Sequence, residues 1–201
     1  MIKEFSLYYN EQIKNNMNNR ITALGSFTAV LLLVTSIGGQ SLSAYAVSSN
    51  APSFGGGIMN YADGLTINGH VIDISKFSQQ MPTPQTLTLG KQSTITLKIF
   101  DNQGPTMIKW AGLYMNMQGT DLSNRGDVSI SYPMNHNIYL SDPHKLLGNV
   151  TAEYKIVQPF VYVTFHITPI GKMKSSNLIV SAMDERRAVT NSLIINAIQF
   201  S

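Results

Sequence analysis

Thr94-Ile95-Thr96-Leu97-Lys98-Ile99-Phe100 places Ile95, Leu97 and Ile99 on one side of the chain, with Thr94, Thr96 and Lys98 on the other. Successive side chains of an extended strand point to opposite faces, so this alternation predicts a strand with one face in a core. The same period recurs in Asp127–Tyr132, where Val128, Ile130 and Tyr132 face inward and Ser129 and Ser131 outward. Val161–Ile167 repeats it, with Val161, Val163, Phe165 and Ile167 set against Tyr162, Thr164 and His166, and Val150–Ile156 alternates through Ala152 and Tyr154. Met107–Met117, Leu178–Met183 and Leu193–Phe200 are apolar on both faces, as central strands or strands beneath a second layer are.

Turn chemistry separates these runs. Asn68-Gly69 lies between Thr66-Ile67 and Val71-Ile72, the strongest short hairpin pattern. Asp101-Asn102-Gln103-Gly104-Pro105, Asn124-Arg125-Gly126, Gln158-Pro159 and Pro169-Ile170-Gly171 are further breakers. The expected fold is all-β: one β-sandwich of about eight or nine strands over residues 63–201.

Upstream the composition changes. Residues 1–46 open with a polar stretch carrying Lys3, Glu4, Glu11, Lys14 and Arg20, pass through the uncharged run Ile21–Ile37, and end at Ala44-Tyr45-Ala46. A charged region, an apolar region and a small-x-small site in that order read as a helical signal peptide cleaved after Ala46, with Ala44 and Ala46 as the cleavage residues. An uncleaved signal-anchor is the rival reading, because the charged region is long. Either way the remainder is expected outside the cytoplasm, secreted or at the cell surface. Residues 47–62, with Pro52 and Gly55-Gly56-Gly57, read as a flexible Gly/Ser-rich spacer.

The chain of 201 residues has no cysteine, which removes disulfides, Cys-ligated metal centres and a cysteine nucleophile. Only 12% of residues are charged and the net charge is +3, falling by one unit if residues 1–46 are removed. The cations are scattered, with no basic stripe for nucleic acid.

Leu89–Asn116 (LGKQSTITLKIFDNQGPTMIKWAGLYMN), Ser141-Asp142-Pro143-His144-Lys145-Leu146-Leu147 and Val180–Arg187 (VSAMDERR) together resemble a group of exported, largely uncharacterised β-sandwich proteins of ammonia-oxidising archaea. The resemblance spans roughly Gly64 to Phe200 and rests on strand-and-turn patterns. It implies a cupredoxin- or immunoglobulin-like sandwich in an extracytoplasmic setting, and it carries no assigned active site to transfer. Members of the group often add a C-terminal anchor. This chain ends at Phe200-Ser201, so membrane contact is expected only through the N-terminal segment, if that segment stays uncleaved.

Among chemistry-bearing residues, Met134, His136 and His144 fall in one stretch, and imidazole with thioether suits copper. A blue-copper centre is ruled out by the missing thiolate, which leaves copper as the one cofactor to weigh. Packing methionines and loop histidines are the plainer reading, and Met115 and Met117 are expected to fill the core. Asp121–Gly126 resembles the opening of a calcium loop, but Arg125 stands where an oxygen ligand is needed, so a polar turn is expected. Hydrolase motifs are missing, and Gly90-Lys91-Gln92-Ser93 reads as a turn entering a strand. Asp184-Glu185-Arg186-Arg187 is expected to be a solvated connection, Trp110 and Tyr114 to pack in the core with an aromatic binding face as the alternative, and Asn149-Val150-Thr151 is the one glycosylation sequon. The reading is therefore a non-enzymatic, exported interaction module whose partners are other cell-envelope proteins. Copper binding or delivery through Met134, His136 and His144 is the alternative.

Overall fold

Alternation becomes burial wherever one face of a strand is apolar. A computed structural model describes residues 50–56, 62–74, 78–117 and 126–201. All of them belong to one compact unit, Val47–Ser201. Residues 1–46, with Ala44 and Ala46, half of the expected spacer (47–49 and 57–61), and Asp121–Arg125 lie outside the described residues.

Among the described residues, thirteen strands form two sheets. They are β1 (Ser53–Phe54), β2 (Leu65–Ile67), β3 (His70–Ile72), β4 (Ser78–Gln80), β5 (Gln85–Leu87), β6 (Ser93–Phe100), β7 (Ile108–Met117), β8 (Val128–Pro133), β9 (Tyr139–Ser141), β10 (Leu147–Val157), β11 (Phe160–Pro169), β12 (Met173–Asp184) and β13 (Val189–Phe200). The first sheet runs β10-β11-β6-β2-β3, with β1 also on β6. The second runs β4-β13-β12-β7-β8-β9, with β5 also on β13.

Ile95, Leu97 and Ile99 of β6 and Val161, Val163, Phe165 and Ile167 of β11 are buried and enter the main core. There they join Ala111, Leu113 and Met115 of β7, Val128 and Ile130 of β8, and Leu178, Val180 and Ala182 of β12. At the predicted hairpin, Asn68 has φ 48° and Gly69 φ 82°, the pair of left-handed residues a tight two-residue turn needs. Leu89 and Gly90 form a turn just ahead of β6, with the Lys91 N–H donating to the Thr88 carbonyl at 3.2 Å, so the chain turns into the strand as expected.

Three expectations are corrected. The strand count exceeds eight or nine because β1, β4, β5 and β9 are only two or three residues long and carry no readable period. The spacer is not free throughout: Ser53 and Phe54 pair with Phe100 and Ile99 of β6, and Phe54 is 2% exposed. One aromatic side chain inserted in the core is enough to tie down a glycine-rich segment. Trp110 and Tyr114 are half-buried on the face of β7 opposite Ala111, Leu113 and Met115, so they stand outside the main core. Met117 is buried as expected, in a second small cluster beside the main core. Asn116 adopts φ 59°, the pairing with β12 shifts register there, and Met117 joins Ile179 and Leu193.

Candidate functional site

Among the described residues, the longest sheet margin without a strand partner is β10. Eleven residues long, it is bonded to β11 on one side and ends the first sheet on the other. A β-bulge between Leu147 and Val150 marks its start, beside the exposed sequon residue Asn149. Thr151, Glu153, Lys155 and Val157 register against His166, Thr164, Tyr162 and Phe160 of β11, all on the sheet's outer face. Ile156 is 40% exposed and Val157 45%, so the far end of the edge presents apolar surface.

Beside this edge the outer face forms an open trough of about 620 Å³, whose lining includes Thr96, Glu153, Lys155, Val157, Tyr162 and Thr164. Its floor is polar and ordered: the Thr96 and Thr164 hydroxyls bond across β6 and β11 at 3.1 Å. One end is aromatic, with Phe160 6.0 Å from Phe100 and 6.4 Å from Tyr162 between ring centres. The Lys98 ammonium lies 4.3 Å from the Phe160 ring centre and 2.5 Å from the Asp63 carboxylate. Tyr154 turns the other way, 6.4 Å from Tyr132, and its hydroxyl donates to Asn135 at 2.5 Å. Burial, with Tyr154 and Glu153 adding negative potential, pushes the Tyr132 hydroxyl up from its ordinary value.

The nominated copper ligands divide between two places. Met134 and His136, in the turn after β8, line one cavity of about 490 Å³ with Lys109, Tyr139 and Glu185. His144 lies in the turn after β9, where its Nε2 is hydrogen-bonded to Asp127. Burial works against the Asp127 charge, but bonds from Asn116 (2.7 Å) and His144 outweigh it and hold the carboxyl below its usual value. Among the described residues, no group of three or more His, Asp or Glu side chains gathers as a metal site. Glu153 is exposed and 3.4 Å from His166 Nε2, whereas Glu185 pairs with Lys109 at 3.2 Å in the second sheet's turn.

Two features depart from the leading expectation. Trp110 and Tyr114 stand 6.5 Å apart on the second sheet's outer face, with the indole N–H donating to Ser131. In the DERR connection, Glu185, Arg186 and Arg187 are exposed as expected, but Asp184 is fully buried. Its Oδ1 accepts the Ala188 N–H at 2.7 Å, so it closes the β12–β13 turn from inside.

No family model matches the chain, and no curated protein matches it. Among solved structures it is similar to one from work on photo-crosslinking of multimeric cell-adhesive interactions of VGSC beta subunits. That likeness has 8% identity and a TM-score of 0.38, over 63% of this chain and 93% of that one.

Proposed function

We propose that this protein is an exported, non-enzymatic β-sandwich that works as a cell-envelope or surface interaction module, with β10 as its docking edge. The observation that carries the reading is the free margin of β10, which is eleven residues long and tipped by exposed Ile156 and Val157. Open edges offer a row of unpaired N–H and C=O groups, and proteins generally cover or blunt them. Here the blunting is slight: the bulge sits at the strand's start, and Lys155 is the edge's one lysine. The occupant that fits is an extended segment of another envelope protein, adding a strand to the sheet and setting an apolar side chain against Ile156 or Val157.

Because the chain lacks cysteine, a single introduced thiol is a unique handle. In whole cells, a thiol-directed crosslinker on Val157→Cys is expected to give one discrete adduct with an envelope protein. Ile170→Cys, 55% exposed against 45% for Val157 but outside β10, should give none. Equal adducts at both positions, or none at Val157, would overturn the edge assignment.

Copper delivery is supported to the extent that Met134 and His136 share a cavity. On that reading, equilibrium dialysis of the full chain should show micromolar Cu(I) binding that His136→Ala weakens at least about tenfold. Binding unchanged by the substitution would remove it.

A further inference from the structure

A sheet can continue across its edge into a second copy of the same strand, provided that the strand reads acceptably against itself reversed. After its bulge, β10 pairs with β11 without a break from Val150–Ile167 to Val157–Phe160. Val150, Ala152 and Tyr154 pack against the core, while Thr151, Glu153, Lys155 and Val157 are exposed on the outer face. The Glu153 side chain is 74% exposed, which leaves it free to reach across the open edge.

A two-fold axis perpendicular to the sheet sets residues of the same face opposite one another, so the axis falls beside a single residue. Two positions of that axis use nearly all of the regular strand. At Glu153 it pairs Val150–Ile156 with itself and sets Glu153 against its own copy, two like charges about 5 Å apart. At Tyr154 it pairs Thr151–Val157 with itself, and Glu153 then opposes Lys155 on both sides of the axis. The same register sets Ile156 against Ala152 and Val157 against Thr151, which covers both apolar side chains that the edge exposes. Other positions are worse. An axis at Lys155 opposes that lysine to itself, and axes at Ala152 or Ile156 separate Glu153 from Lys155 and shorten the overlap.

We propose that β10 pairs antiparallel with β10 of a second copy of this chain about an axis at Tyr154, joining two first sheets into one. The inference rests on the reading of β10 as a docking edge and names its occupant: a second copy, itself an envelope protein on that reading. The contact is isologous, so each Glu153–Lys155 pair occurs twice and the assembly closes at two chains. Like charges placed opposite are repelled and opposite charges attracted, so charge selects the register that strand length alone leaves open.

The test is sedimentation equilibrium of the full chain. Loaded up to about 100 µM, it is expected to show a reversible monomer–dimer equilibrium, because a strand-edge contact is small. Glu153→Lys and Lys155→Glu each turn both attractive pairs into repulsive ones and should weaken the dimer by about tenfold or more. Combining the two reversals exchanges the charges and should bring association back to within about threefold of the wild-type chain. Both side chains are exposed, so the variants keep the core intact. A monomer at every concentration, a dimer indifferent to the single reversals, or a double reversal no stronger than the singles overturns the self-pairing. Failure of the edge reading looks different. A monomeric chain whose Val157→Cys adduct contains a different envelope protein keeps the edge and overturns the self-pair, and a monomeric chain with no adduct removes both.

Discussion

Phe165→Ala is expected to destabilise the domain by about 3–5 kcal/mol, the largest loss from a single side chain here. Phe165 is fully buried at the middle of β11, the strand between β10 and β6. Its loss removes transfer free energy and leaves a cavity, because the ladders on both sides keep the backbone from collapsing into the gap. Domains of this size are stable by only about 5–15 kcal/mol, so the variant would retain a small margin. In urea its midpoint should fall sharply with little change in slope. Tyr162→Ala, three positions earlier on the half-buried outer face, should cost about 1 kcal/mol. Equal costs at the two positions would show that the assigned strand faces are wrong.

Gly126→Ala is the second large effect. Gly126 and Gly90 both adopt φ +71°, so an alanine at either carries the same left-handed strain, about 1–2 kcal/mol. Their surroundings differ. A Cβ on Gly90 would meet nothing within 4 Å, whereas one on Gly126 would lie 2.3 Å from the Met115 carbonyl oxygen and 3.0 Å from Met117 Cβ. The oxygen belongs to the backbone of β7, which is held between β8 and β12, so relief requires the start of β8 to shift. Gly90→Ala should therefore cost about 1–2 kcal/mol and Gly126→Ala about 3 kcal/mol or more. Matched chemical denaturation of the two variants isolates the clash as their difference. If they are equally unstable, β7 and β8 do not approach as described.

The strands that alternate cleanly were legible because one face had to be dry and the other wet. Thr94–Phe100, Asp127–Tyr132 and Val161–Ile167 keep the phase their residues predict. Met107–Met117 did not reveal its phase. Apolar residues occupy both sides, so Trp110 and Tyr114 were as compatible with the core as Ala111 and Leu113. The short strands failed for another reason. Ser78–Gln80 has no hydrophobic period and becomes β4 only because β13 supplies a parallel partner more than a hundred residues away in sequence. At the nominated metal loop, the spacing of Met134, His136 and His144 was visible. What it could not show was that Asp127, at the head of β8, would engage His144.

Asp184 makes the division plainest. Its neighbours Glu185, Arg186 and Arg187 are exposed, and nothing local distinguishes it from them. It is buried because the turn that follows β12 bonds back to it and the loop from Asp101 closes over the same end. The sequence by itself determined the all-β class, the phase of the alternating strands, the Asn68-Gly69 turn and the absence of thiol chemistry. Each of these depends on residue type or on neighbours a few positions apart. Strand order, the free edge at β10, the tethering of Phe54 and the burial of Asp184 were decided only by the tertiary structure. They arise from pairing between distant segments, and no local period encodes which distant segment will supply the missing hydrogen bonds or apolar cover.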